Sequence, residues 1–158
     1  NRWYQSQIAR AQTCSPETSA TAALSLVSMP DRWVEARNRL DKWWTTSGGV
    51  LTPDGRVVFV PAYMDHTLIF DPASKTFEAV ELPPNESPNG AGYSGGVLVP
   101  DINKIVFAPI GGNQQGGVLD LASSKIEPFD VGEEGEYRGA VLAKNGQVVF
   151  VPSRGAIG

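Results

Sequence analysis

The stretch that decides the fold is "SGGVLTPDGRVVFVP", residues 47–61. It returns as "SGGVLVPDINKIVFAP" at 94–109 and again as "RGAVLAKNGQVVFVP" at 138–152. Gly48, Gly95 and Gly139 stand 47 and 44 residues apart. A unit of ~45 residues lies in the period range of stacked or radially arranged repeats. The likeness runs past the opening phrase: "TLIFDPASKTF" (67–77) matches "GVLDLASSKI" (117–126), with Asp71 answering Asp120 and Lys75 answering Lys125. The chain therefore carries two full copies and the first part of a third.

Within one copy every segment reads as strand. "GGVLT" (48–52) is a short apolar run, and "PDG" (53–55) is a turn in which Pro presets φ and Gly supplies φ > 0. Lys144–Gly146 is its counterpart in the third copy. "RVVFVP" (56–61) is β-branched and aromatic on both faces, which predicts a strand buried on both sides. "TLIFD" (67–71) and "TFEAVEL" (76–82) follow as third and fourth strands around the turn "PASK". Four short antiparallel strands recurring at this period describe a propeller blade. A β-sandwich competes, but it does not require a repeat of this length. The fold class expected is thus an all-β propeller, partial within residues 47–158, preceded by a short α-helical segment over 1–46.

These phrases resemble the blade repeat of kelch-like and related propellers of bacterial and bacteriophage proteins. The resemblance covers about 48–158. It departs from a WD40 blade in lacking the Trp-Asp dipeptide, and from a kelch blade in placing the double glycine at the start of the first strand. It implies a non-enzymatic binding or structural propeller, for instance a phage fibre or other virion surface protein engaged in host or glycan attachment. The alternatives are a glycan-active propeller enzyme and a bacterial scaffold propeller of the cytoplasm or periplasm. The expected location is accordingly the virion or the cell exterior.

Composition narrows the field. The chain of 158 residues is 41% hydrophobic and 19% charged, a globular balance. A net charge of −4 with no basic stripe argues against nucleic acid as partner. No apolar run approaches the ~20 residues that span a bilayer, and "NRWYQSQIARAQ" has no signal-peptide core. A lone cysteine, Cys14, allows neither an internal disulfide nor a zinc cluster of its own. The start on Asn1 and the close on "SRGAIG" in mid-pattern read as a window of a longer chain.

Residues 1–46 lie outside the repeat. "NRWYQSQIARAQ" puts Trp3 or Tyr4, Ile8 and Ala11 at helical spacing, "SPET" (15–18) is a helix start, and "PDRWVEARNRLDKWW" (30–44) carries Trp33, Ala36, Leu40 and Trp43 or Trp44 on one stripe. All four tryptophans fall between positions 3 and 44. They read as packing against the first blade or as an interface holding the propeller to other proteins of an assembly.

Motifs for chemistry are sparse: there is no P-loop, no G-x-S-x-G, and "GGNQQGG" (111–117) sits between strands. His66 and Asp65 are sequence neighbours, so an extended backbone points them apart. No cofactor or metal is expected. Loops offer more. In a meander the turns after strands one and three share one end, here short and stereotyped, while the turns after strand two and the links between blades share the other, here variable. Variable loops on a rigid scaffold are where ligands bind, which selects Tyr63, Tyr93, Asn113, Gln114, Gln115, Tyr137 and Arg138 for a glycan or protein surface. Finally, two and a fraction blades leave apolar faces bare: Val57, Phe59, Leu68 and Phe70 on the first copy, and Val149, Phe150 and Val151 on the last. Further blades, other subunits of a homo-oligomer, or the N-terminal helices are the expected covers.

Overall fold

A computed structural model describes residues 7–10, 25–28, 46–84, 92–110, 115–132 and 136–154. The chain divides between Asp41 and Lys42 into two units. In the first, β1 (Gln7–Arg10) pairs antiparallel with β2 (Ser25–Ser28), Ile8 standing opposite Val27. The helical reading of 1–12 is thus corrected at residues 7–10. Local helical spacing is a weak prior for a short segment, and a partner strand overrides it. The helices read at 15–18 and 30–44, with Trp33, Leu40, Trp43 and Trp44, lie outside the described residues, as does Trp3.

The second unit is built of meanders. β3 (Thr46–Leu51), β4 (Val57–Pro61), β5 (His66–Asp71) and β6 (Thr76–Glu81) form one four-stranded antiparallel sheet in sequence order. β7 (Tyr93–Val99), β8 (Lys104–Pro109), β9 (Gln115–Asp120) and β10 (Lys125–Asp130) form a second with the same order. β11 (Glu136–Leu142) and β12 (Val148–Arg154) make a two-stranded third. Val57, Val58 and Phe59 pair with Phe70, Ile69 and Leu68, as the repeat requires.

The turns repeat as well. Gly55 donates its N–H to Thr52 O at 3.0 Å, and Gly146 donates to Ala143 O at 2.9 Å, so 53–55 and 144–146 are one turn written twice. The second copy is one residue longer here and closes with a 3₁₀ turn, Pro100–Ile102, ending on Asn103 at φ 53. After strand three, the Asp71 and Asp120 carboxylates each take the backbone N–H two residues on, at 2.8 and 2.9 Å. Both turns end on a left-handed residue, Lys75 at φ 57 and Ser124 at φ 52. The equivalent of Lys75 is therefore Ser124, not Lys125; the pairing made on lysine identity is shifted by one, because the aspartate fixes the register of the turn.

Alternation along the strands divides each sheet into two faces, and the sheets stack face to face. Val50, Val58, Val60, Ile69 and Val80 share one face of the first blade and form a single core cluster with Tyr93, Ile105, Phe107 and Leu119 of the second. The second blade's opposite face meets the third: the Phe129 ring stacks on Phe150 with centroids 6.1 Å apart, and β11 lies against β7 and β8. At the innermost strands the backbones nearly touch. A Cβ on Gly95 would sit 2.7 Å from the Gly139 Cα. On the outward face of the first blade, Leu68 and Phe70 are buried rather than bare, Phe70 beneath the stacked Phe77 ring at 4.7 Å.

Two substitutions test this packing. Gly95→Ala should destabilise by about 1–3 kcal/mol through backbone overpacking. Phe107→Ala should cost about 3–5 kcal/mol from the emptied core. Urea unfolding followed by far-ultraviolet circular dichroism reads both.

Candidate functional site

Each blade has two ends, and they differ in what their side chains already do. At the end holding the turns after strands one and three, polar groups are engaged within their own turn or with the neighbouring strand. The Thr52 hydroxyl donates to the Asp54 carboxylate and lies 2.9 Å from Arg56 O, while Arg56 reaches Asp54 at 2.8 Å and Glu78 at 3.5 Å. Asp71 also accepts from the Ser74 hydroxyl at 2.7 Å, and Asn145 Nδ2 donates to Gln147 Oε1 at 2.6 Å. Lys104 pairs with Asp120 at 3.5 Å. Hydrogen bonds to the ionised form hold the carboxylates below their ordinary range: from Thr52 foremost at Asp54, from Ser74 at Asp71, and from the Ser123 and Ala122 amides at Asp120. These groups shape hairpins.

The opposite end gathers the loop 62–65, Ile110, residues 82–84 and 131–132, and the first residues of β7 and β11. Tyr63 stands at a loop tip, 37% exposed. Its loop is pinned by the Leu82 N–H, which donates to Asp65 O at 2.8 Å. His66 Nδ1 lies 2.5 Å from Asp65 Oδ1, and that bond holds the exposed Asp65 carboxyl below its ordinary value. Adjacency along the chain does not keep this pair apart, because the loop turns between them. Gln115 opens β9 on the surface. Tyr93, by contrast, is a core residue at 2% exposure, stacked on Phe107 at 5.2 Å with its hydroxyl pushed up to about 12 by burial. Its phrase position near a connector pointed to the surface; the missing side chain at Gly117, over which the ring lies, lets it fold inward instead. Asn113 and Gln114 lie outside the described residues. Among the described residues no three His, Cys, Asp or Glu side chains gather to hold a metal ion.

The third blade holds a cluster that single residues did not reveal. Arg138 stands where the first two copies have Ser47 and Ser94. Those serines are structural: Ser47 donates to Tyr93 O at 2.7 Å, and Ser94 to Pro109 O at 3.5 Å. Ser153 replaces Ala62 and Ile110, and Glu136 replaces Gly92. Ser153 links these three departures from the repeat. Arg138 Nε donates to Ser153 Oγ at 3.3 Å, and the Ser153 hydroxyl lies 3.5 Å from Glu136 Oε2. Tyr137, half-buried on Phe150 at 5.4 Å, adjoins them. The signal was present in the repeat alignment, as positions where the third copy breaks the phrase.

No protein-family model and no curated protein matches the sequence. Solved structures do match the fold. A virginiamycin B lyase of Staphylococcus aureus superposes with a TM-score of 0.61 at 14% identity, over 96% of this chain and 51% of that one. A streptogramin B lyase gives 0.60 at 18% identity, over 94% and 42%. The extracellular domain of the one-component system BT4673 of B. thetaiotaomicron gives 0.61 at 16% identity, over 83% and 16%. These neighbours are β-propeller-like proteins. The chain spans about half or less of their lengths, and its antiparallel four-stranded sheets are blades of a partial propeller.

The depressed carboxylates give a pH prediction. Their folded pKa values lie below the unfolded ones, so their contribution is complete above the ordinary carboxylate value and is lost as pH falls through the folded values. Melting temperature should hold near neutrality and decline in the acid range. Asp120→Asn should lower it at neutral pH and flatten the acid decline.

Proposed function

We propose that this chain is part of a binding propeller that engages an acidic glycan or an acidic protein surface through its variable loop end, without transforming it. One observation carries the reading: the three polar departures of the third copy gather at that end, Ser153 contacting both Arg138 and Glu136. A serine that fastens strands in two copies is exchanged for an exposed guanidinium in the third. Guanidinium groups bind carboxylates and phosphates through paired hydrogen bonds, and the Tyr137 ring beside it offers a flat apolar contact.

The same proposal has residues 1–46 attach the propeller to other proteins of a larger assembly through Trp3, Trp33, Leu40, Trp43 and Trp44. It also keeps a virion or cell-exterior location; the extracellular domain among the fold neighbours supports the cell exterior and not the virion. The His66–Asp65 pair is read as a loop contact, since Asp65 is open to solvent and the two bond each other.

An array of acidic and neutral bacterial surface polysaccharides tests this. Acidic members should bind, with Arg138→Ala lowering affinity about tenfold or more, the range of an interface anchor, and leaving the melting temperature unchanged. Tyr63→Ala and Tyr137→Ala map how far the site extends. Equal binding by wild type and Arg138→Ala, or release of cleaved sugar, would overturn the proposal.

A further inference from the structure

The turn after strand one carries a different chemistry in each copy. It is Asp54–Gly55 in the first blade, Asp101–Ile102–Asn103 in the second and Asn145–Gly146 in the third. The tip is exposed in all three, the two four-stranded blades included. A side-chain carbonyl followed by glycine is open to attack by the main chain, because glycine has no β-carbon to crowd its own nitrogen. In the first turn that carbonyl belongs to a carboxylate. Hydrogen bonds from Thr52 foremost, and then from Arg56, favour the ionised form of Asp54, and an ionised carboxylate offers no leaving group. In the second, Asn103 is followed by Lys104, whose β-carbon stands beside the attacking nitrogen. The third turn alone of the three joins a carboxamide to a glycine.

Both reactants are held in the closed turn. The Gly146 N–H donates to Ala143 O at 2.9 Å. Asn145 Nδ2 donates to Gln147 Oε1 at 2.6 Å, and Asn145 Oδ1 accepts the Gln147 N–H at 3.2 Å. Ring closure asks the glycine nitrogen to shed the proton it donates and the carboxamide to turn away from Gln147.

We propose that Asn145 is a site of spontaneous deamidation that these hydrogen bonds hold back, so that conversion follows opening of the turn. Hydroxide removes the Gly146 amide proton, and the nitrogen's electron pair bonds to Asn145 Cγ. The Cγ–Nδ2 bond breaks, and Nδ2 leaves as ammonia with a proton from water. Water then adds to one of the two imide carbonyls and opens the ring, leaving aspartate or isoaspartate at 145. The aspartate product has a place ready for it: Asp54 Oδ1 accepts the Arg56 N–H at 3.3 Å, as Asn145 Oδ1 accepts that of Gln147. The isoaspartate product lengthens the main chain by one methylene within the turn that sets the register of β11 on β12. The new charge falls at the turn end of the blade, opposite the end that carries Arg138.

The test is tryptic peptide mapping by mass spectrometry of the 158-residue chain aged in mildly alkaline buffer, native and in urea, with aspartate and isoaspartate separated by chromatography. Asn89–Gly90, which lies outside the described residues, falls in a different tryptic peptide and is read separately. Conversion at 145 should be at least about tenfold faster in urea than in native buffer, because the native rate is scaled by the fraction of time the turn is open. Gln147→Ala, at an exposed position, removes the acceptor of Nδ2. It should raise the native rate several-fold and leave the rate in urea unchanged. Equal rates at 145 in native buffer and in urea would overturn the proposal. So would an Asn145 that converts in neither, or a Gln147→Ala chain that ages in native buffer at the wild-type rate.

Discussion

The innermost strands of this protein can approach only as closely as two bare backbones allow, and at Gly95 and Gly139 they do. No side chain fits between β7 and β11 there, since a Cβ on Gly95 would meet the Gly139 Cα at 2.7 Å. The same crowding appears within blades, where a Cβ on Gly96 would strike the Phe107 ring at 2.9 Å. Between the first and second blades β3 lies against β7, and the facing sheets bury Val58, Ile105, Phe107 and Leu119 in one core. Enlarging Gly95 would wedge the second and third blades apart.

Face-to-face stacking then separates two kinds of work. Apolar side chains are consumed between sheets, while polar ones are pushed to the ends of the blades. At one end they fold back on their own turns, as Asp71 and Asp120 do. At the other, the scaffold tolerates change, and the third copy uses that tolerance to place Arg138, Ser153 and Glu136 together. Side-chain chemistry can vary there without disturbing the packing that holds the blades.

Much of the fold was legible because period-2 alternation and turn chemistry recur with the repeat. "RVVFVP" and "KIVFAP" could be read as buried strands from their β-branched and aromatic content, and Asp-Gly and Asn-Gly marked the turns. The N-terminal strand at Gln7–Arg10 was not legible, because four residues carry too little pattern to distinguish a strand from a helical turn when the partner lies eighteen residues on. For the site, exposure misled at Tyr93, whose ring turns inward over a glycine on another strand. Such an inward turn depends on a partner twenty-four residues away, which no local rule reports. Arg138 was found from its place at a connector, but its partners were not, since Ser153 and Glu136 stand out only when the three copies are compared position by position.

The central claim is that β12 is the second strand of a blade like the other two, and backbone amide hydrogen exchange tests it residue by residue. β4 and β8 are paired on both edges, whereas among the described residues β12 is paired with β11 alone. The account predicts slow exchange along both edges of β8 and, in β12, slow exchange for the amides turned toward β11. Fast exchange of those β11-facing amides, or fast exchange throughout β8, would contradict it.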